Sequence, residues 1–236
     1  MANSNGTALK DGQAAQPAFD KQKLLLSADA GRFSLIRALH LADAITLLNG
    51  LCGILSIFSA LHYCLGDPQD PTLIYVALTF LPFGLFFDFM DGRVARWRKK
   101  TSMMGQELDS LADLISFGVA PATIATAIGF RTPLDALSLS FFALCGLVRL
   151  ARFNVTVSSL PKDATGKSSY FEGAPIPTTL GIDAIMAYWV ANGWILENLP
   201  FGVWGEGTLL EVHPLVLLFV AHGCLMTSRT IKVPKP

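Results

Sequence analysis

The sequence predicts an all-α polytopic membrane protein, in which six transmembrane helices follow an N-terminal juxtamembrane amphipathic helix. Of the 236 residues, 52% are hydrophobic and only 15% are charged, whereas a soluble domain carries about a quarter of charged residues. Six stretches are also apolar enough to cross a bilayer as helices, which takes about 20 residues each. These stretches are residues 44–64, 73–97, 106–130, 133–155, 175–196 and 209–228.

The chain ahead of the first span divides into two parts. Residues 1–20 are small and polar and lack the apolar core of a signal peptide, so we expect a disordered cytosolic tail. Residues 21–43 mix basic and apolar residues and fit an amphipathic helix at the membrane surface, although the same segment is equally consistent with the start of the first span. Residues 44–228 then form the transmembrane domain, and residues 229–236 form a cytosolic C-terminal tail.

The basic residues predict the orientation of the helices. Seventeen of the 18 lysines and arginines lie before the first span, after the last span, or at the second and fourth connections, and only Arg131 lies at the other three. Because basic residues accumulate on the cytosolic side, both termini are expected in the cytosol.

The net charge is zero, so it does not indicate a nucleic-acid partner. The four cysteines are scattered singly, which argues against a zinc site or a disulfide framework.

Four aspartates lie where the second span ends and the third begins. Asp88 and Asp91 are three residues apart, and Asp109 and Asp113 are four apart, so each pair shares one helix face. If the two spans are antiparallel neighbours, all four carboxylates lie within about 15 Å of the same helix ends. Carboxylate ligands without histidine or cysteine favour the binding of Mg²⁺ or Mn²⁺. The sequence therefore predicts a cluster that binds two such ions.

A second interpretation of the aspartates is internal ion pairing with Arg93 and Arg96. That interpretation accounts for the charge but does not explain the nearby glycines, Gly92 and Gly105. Glycine would let a bulky ligand lie against the helix backbones. Ala95 keeps the same surface shallow, and a guanidinium such as that of Arg96 suits a diphosphate.

The whole stretch fits the pattern D-x2-D-G-x2-A-R-x8-G-x3-D-x3-D, and all eight of its fixed positions are met between residues 88 and 113. This pattern resembles the signature of the CDP-alcohol phosphatidyltransferases. The resemblance implies six transmembrane helices, a homodimer, and a polar cavity that opens to the cytosol. It also implies a reaction in which an alcohol attacks the phosphorus of a CDP-alcohol and CMP leaves.

The resemblance further implies a role for each residue of the pattern. Asp88, Asp91 and Asp109 would be metal ligands, while Asp113 would ligate the second metal and act as general base on the attacking hydroxyl. Residues at the helix ends would bind the CDP group. They are Gly92, Ala95, Arg96 and Gly105, joined by Thr46 and Asn49 at the entry to span one, for which a role in helix packing is as consistent.

Four further blocks indicate the acceptor alcohol. HLADAITLLNG, ELDSLADLISFGVAPA, GLVRLARFNV and YFEGAPIPTT are similar to the integral-membrane phosphatidylserine synthases, the serine-using branch of the family, most of all to the fungal ones. This similarity implies that CDP-diacylglycerol and L-serine react to give phosphatidylserine and CMP, in the endoplasmic reticulum membrane.

The serine pocket is expected near the cytosolic end of span four. Either Arg149 or Arg152 would bind the serine carboxylate or a phosphate, unless both only anchor the helix to lipid headgroups. Asn154 and Glu172 could close over serine, with the Glu172 carboxylate meeting its ammonium group.

Three rival functions differ in what they require of the sequence. A relative that uses glycerol 3-phosphate or inositol needs a pocket for a second phosphate or a polyol, and the serine-type blocks argue against it. A cation transporter needs acids spread through the membrane depth, whereas these four cluster near one side beside Arg96. A catalytically dead scaffold would have lost positions of the signature, and none is lost.

Overall fold

The computed structural model of the chain describes residues 41–67, 70–98, 103–159, 170–208, 210–228 and 232–234. The expected cytosolic tail of residues 1–20 lies outside the described residues. The expected amphipathic segment lies outside them as well, up to residue 40.

The described chain is built almost entirely of helices. They are α1 (Leu41–Leu65), α2 (Thr72–Arg98), α3 (Met103–Asp113), α4 (Ala120–Ile128), α5 (Pro133–Ser159), α6 (Leu180–Ala191) and α7 (Leu217–Thr227). A π-helical segment, Leu114–Val119, joins α3 to α4, and short 3₁₀ turns precede α6 and α7. The one described pair of strands is short: β1 (Tyr170–Glu172) runs antiparallel to β2 (Lys232–Pro234), in the expected C-terminal tail.

Four helical stretches are long and apolar enough to cross a membrane. They are Leu41–Leu65, Thr72–Val94, Met104–Ile128 and Pro133–Val155. Two further apolar stretches, Ile176–Ala191 and Pro214–Thr227, are shorter. The prediction of an all-α polytopic membrane protein is therefore confirmed, while the count of six spans stays a prediction.

The fifth predicted span, residues 175–196, ends earlier in the structure because its sequence carries a stop signal. α6 ends at Ala191, and Gly193 follows with a φ of +70°. The N–H of Trp194 then turns back to donate to the carbonyl of Trp189 at 2.9 Å. This is the closure that a left-handed glycine permits at a helix C-terminus. The connection from α6 to the 3₁₀ turn at Pro214 is consequently longer than the sequence suggested.

The third span lies at the centre of the helix bundle. Of its apolar stretch, 61% of the residues are buried, against 28–33% for the other three long spans. α1 packs along α2 and also contacts α3, the π segment and α4, while α5 packs against α7. The aromatic rings of Phe130, Phe142 and Phe219 fill the interior beside α4 and are fully buried. The side chains of Asp109 and Asp113 are thus carried on the most enclosed span.

The end of the bundle away from the aspartates has its own polar contacts. Thr132 and Asp135 form reciprocal bonds at the start of α5, where the Asp135 N–H donates to Thr132 Oγ1 at 3.2 Å and the Thr132 N–H donates to Asp135 Oδ2 at 3.1 Å. The same carboxylate accepts the backbone N–H of His213 at 3.0 Å and its ring Nδ1–H at 2.6 Å. Asp135 therefore ties the connection before α7 to the start of α5.

Candidate active site

The structure brings three of the four aspartates together. Carboxylate oxygens of Asp88, Asp91 and Asp109 all lie within 4.8 Å of one another. Asp88 and Asp91 share a face of α2 because they are three residues apart, and Asp109 faces them from α3. Oxygens at this separation can surround one metal ion, since Mg²⁺ and Ca²⁺ bind oxygen at about 2.0–2.6 Å.

The fourth aspartate, Asp113, lies beside this group at the end of α3. Its carboxyl group lies close enough to that of Asp88 for the two to interact electrostatically. Asn49 of α1 donates from Nδ2 to Asp113 Oδ1 at 3.1 Å. α1 supplies a second donor to the cluster, because the Thr46 hydroxyl donates to Asp91 Oδ2 at 2.5 Å. Three helices thus build the site, with carboxylates on two of them and neutral donors on the third.

Asp88, Asp91 and Asp109 form no ion pair with a described side chain. Arg93, the nearest described arginine in sequence, places its guanidinium 5.1 Å from the centre of the Phe89 ring instead. Asp109 Oδ1 is buried and has no hydrogen-bond partner within the described part of the chain. Clustered charges and an unpaired buried acceptor both raise the free energy of the folded state. These oxygens therefore fit a hard divalent cation, which would supply the missing positive charge.

The residues expected to bind CDP line the ends of α1, α2 and α3. Gly92 and Gly105 are half-buried, on α2 and in the first turn of α3. Ala95 and Arg96 belong to α2, but their side chains lie outside the described part of the structure. Thr46 and Asn49, whose contacts with the aspartates are given above, were the least specific members of this set in the sequence. The structure places both in the cluster.

The four residues expected to bind serine differ in their surroundings. Arg149 lies in the electrostatic reach of Asp113 and places its guanidinium 5.6 Å from the centre of the Phe153 ring. Arg152 donates instead to the backbone carbonyl of Thr227 in α7, at 3.3 Å. Of this set, Arg149 is the one whose charge the structure brings to the aspartates.

Asn154 and Glu172 are less closely connected with the aspartates. Asn154 accepts a hydrogen bond from Ser110 Oγ at 3.1 Å and donates to Glu107 Oε2 at 3.2 Å, so it links α5 to α3. Glu172 lies in β1, and its side chain is outside the described part.

Sequence reasoning missed two polar residues close to the cluster. Asp43 is only 4% exposed and interacts electrostatically with Asp91. Asp43 lies three residues before Thr46, so helical spacing places both on one face of α1. Because Asp43 belongs to the expected amphipathic segment up to residue 43, the sequence prediction of the site does not include it. Ser116 is fully buried and donates from Oγ to the backbone carbonyl of Asn49 at 2.9 Å. No spacing rule links residues so far apart in the chain.

Comparison with known proteins agrees with the motif. Residues 39–204 match the family model described as CDP-alcohol phosphatidyltransferase. The chain is 56% identical over 220 residues to the CDP-diacylglycerol–serine O-phosphatidyltransferase of Saccharomyces cerevisiae, covering 93% of this chain and 78% of that protein. It is 38% identical over 135 residues to the Bacillus subtilis protein of the same name, covering 56% of this chain and 67% of the relative. The resemblance inferred from the eight-position pattern is confirmed, and the chain belongs to the CDP-alcohol phosphatidyltransferase family.

Proposed function

We propose that this chain transfers the phosphatidyl group of CDP-diacylglycerol to the hydroxyl of L-serine and releases phosphatidylserine and CMP. The observation that carries the proposal is the convergence of Asp88, Asp91 and Asp109 within 4.8 Å, without a cationic partner among the described side chains. Relatives that are 56% and 38% identical to the chain are named for this reaction.

The four aspartates hold two divalent ions, Mg²⁺ or Mn²⁺, with Asp113 as a ligand of the second ion. Their donor set supports this assignment, since it offers only carboxylate oxygens. When bound, such ions stabilise the negative charge of the diphosphate and of the departing CMP. The half-buried glycines Gly92 and Gly105, with Ala95, leave room for the cytidine between the helix ends. Arg96 contacts the phosphates, and Thr46 orients Asp91 through its hydroxyl.

Asp113 is the general base. As the serine oxygen forms its bond to the phosphorus, its proton passes to the Asp113 carboxylate, and the bond between phosphorus and CMP breaks. Asn49 holds that carboxylate in place by donating to Oδ1. Arg149 binds the carboxylate of serine or a phosphate, since its guanidinium lies in the electrostatic reach of Asp113. Holding both reactants in line accounts for much of the rate gain of such transfers.

The setting of the reaction follows from the charge pattern and the relatives. The aspartate end of the bundle and both termini face the cytosol, because 17 of the 18 basic residues lie on that side of the predicted topology. We assign the chain to the endoplasmic reticulum membrane, in contact with its lipids, and to a homodimer.

The test is CMP release by the purified protein in detergent with CDP-diacylglycerol, Mn²⁺ and a panel of alcohols. We expect release that depends on serine and that Asp113→Asn lowers by at least about a hundredfold, because the variant loses the base. Asp70→Asn is the matched control, since Asp70 is an exposed carboxylate that caps α2, and asparagine caps helices as well. Release driven by inositol or glycerol 3-phosphate instead of serine would move the chain to another branch of the family.

A further inference from the structure

Three helical segments meet at Asn49, which is fully buried in α1. Its Nδ2 donates to Asp113, while its Oδ1 is buried without a hydrogen-bond partner among the described residues. Because a carboxylate can only accept, the NH₂ group must face Asp113 and the amide oxygen must face away. Leaving a buried acceptor unpaired raises the free energy of the folded state. The surroundings of Asn49 therefore fix the orientation of its amide group.

The unpaired oxygen faces the backbone of α2 at Gly84. A Cβ atom at this position would lie 3.0 Å from Asn49 Oδ1 and 3.7 Å from both Cys52 Cβ and Ser116 Cβ. The first distance is shorter than an ordinary van der Waals contact, so a methyl group there would push the Asn49 amide. Glycine thus lets α2 close against the amide on the side opposite Asp113.

The main chain of Asn49 is held from the other side by Ser116 of the π segment. Ser116 Oγ donates to the Asn49 carbonyl at 2.9 Å. The approach is close because α1 carries Gly53 there, where a Cβ would lie only 2.6 Å from Ser116 Oγ and 2.9 Å from its Cα. Ser116 stands three residues after Asp113. The third span, which carries Asp113, therefore also binds Asn49, the residue that orients the Asp113 carboxylate.

We infer that Gly84 and Ser116 are positioning residues: they seat the Asn49 side chain between α2 and the π segment, and so set the orientation of the Asp113 carboxylate. The inference rests on the proposed function for the role of Asp113 as base. Neither residue touches the reactants. The alternative is plain helix packing, since small residues are enriched wherever membrane helices approach closely. The two explanations differ in whether the effect of Gly84 passes through Asn49.

The first experiment compares Gly84→Ala with Gly181→Ala, which adds the same methyl group to α6 where no atom lies within 4 Å. In Gly84→Ala we expect kcat for serine-dependent CMP release to fall by about tenfold or more, with KM for serine within about twofold, because a displaced base costs rate rather than substrate binding. Without metal, the melting temperature is measured as a check of folding. The Mn²⁺ midpoint, defined as the dissociation constant fitted to the dependence of melting temperature on Mn²⁺ concentration, should increase about threefold or more, since Asp113 is a proposed ligand. Gly181→Ala should match the wild type in each measurement.

The decisive experiment repeats Gly84→Ala in an Asn49→Ala background. If the methyl group acts through the amide, it has nothing to displace once the amide is gone, and its further effect on kcat and on the Mn²⁺ midpoint should be less than about twofold. An equal factor in both backgrounds would show that Gly84 acts by packing alone and would overturn the inference. The Mn²⁺ midpoint supplies this comparison even if Asn49→Ala is inactive.

Ser116→Ala provides a second route, which also decides the matter if Gly84→Ala does not fold. Its control is Ser59→Ala, because Ser59 Oγ bonds only within its own helix, to the Leu55 carbonyl at 2.8 Å. We expect Ser116→Ala to lower kcat by about threefold or more and to raise the Mn²⁺ midpoint. A folded Ser116→Ala protein with wild-type values of both would contradict the inference. If the wild type releases no CMP with serine, the proposed function fails, and the Mn²⁺ midpoints still test the seat of Asn49.

Discussion

At the scale of single residues, the two arginines of α5 show how different the roles of neighbours three positions apart can be. Arg149 lies in the electrostatic reach of Asp113, whereas Arg152 donates to the Thr227 carbonyl and so joins α5 to α7. Spacing alone could not separate them, because residues three apart share a helix face. The partner that distinguishes them comes from α7, 75 residues further along the chain.

We therefore expect Arg149→Lys and Arg152→Lys to affect different measurements. Lysine keeps the charge but loses the guanidinium fork that suits a carboxylate or phosphate. Arg149→Lys should raise KM for serine about tenfold and change kcat little, which corresponds to loss of a contact made equally before and during the reaction. Arg152→Lys, the matched control, should leave KM for serine within about twofold. Equal increases in both variants would return the two residues to a shared role in anchoring.

The clustering of the aspartates was the feature of the site that the sequence could predict best. Asp88 and Asp91, like Asp109 and Asp113, are related by helical spacing within one segment, so their faces follow from the chain itself. The donors to these carboxylates were harder. Thr46 and Asn49 come from α1, and the sequence left open whether they bind a ligand or pack helices. Their hydrogen bonds to Asp91 and Asp113 show that both lie in the cluster.

At the scale of elements, the largest surprise is the π-helical segment within the third span. Leu114–Val119 follows Asp113 directly, in a stretch that the sequence predicted as uninterrupted helix. One extra residue in a turn rotates the following helix by about 100° relative to a regular α-helix. Such segments occur often at functional sites, and here the segment carries Ser116 onto Asn49. Apolar periodicity does not report it, because both faces of this span are largely buried.

The contact between the start of α5 and His213 leads to a prediction about stability alone. Asp135 is fully buried and accepts hydrogen bonds from the Thr132 N–H and from His213. Asp135→Ala removes them and should lower the melting temperature by roughly 5–10 °C, because groups that stay buried lose their partner.

The same variant should leave the catalytic constants unchanged when they are measured well below the melting temperature. Asp135 lies 19 residues before Asn154 on helix α5, which corresponds to about 28 Å along the helix axis. The control is Glu211→Ala, since Glu211 is a half-buried carboxylate that accepts the N–H of Gly207 within the connection before α7. A fall in kcat of Asp135→Ala, without a fall in stability, would show that the two ends of the bundle are coupled.

At the scale of the whole molecule, the open question is whether the last two helices cross the membrane. At 1.5 Å per residue, Ile176–Ala191 and Pro214–Thr227 span about 24 Å and 21 Å, less than the roughly 30 Å of hydrocarbon. Composition could not reveal this shortening, since Trp194, Ile195 and Leu196 are still apolar and the turn at Gly193 ends the helix before them.

The connection between these helices favours crossing. It exposes large apolar side chains that suit a membrane–water interface. They are Trp194, Phe201, Trp204 and Leu210, exposed by 38–74%. The same connection carries Glu206 and Glu211, which would be costly inside the hydrocarbon of a hairpin that entered and left on one side. With the aromatic residues at the far interface, we expect the shorter helices to complete the fifth and sixth spans.

Cysteine labelling in sealed microsomes tests this topology. In a background with the four native cysteines replaced, we expect a membrane-impermeant maleimide to label Asp11→Cys directly, and Glu206→Cys only after the membrane is permeabilised. Asp67→Cys controls for sealing, because the connection between the first two long spans is on the far side whether the chain has four or six spans. Since the basic residues predict a cytosolic N-terminus in both cases, only Glu206→Cys distinguishes four spans from six. Its labelling in intact vesicles, with Asp67→Cys protected, would show that α6 and α7 form a hairpin that does not cross, and the six-span topology would be wrong.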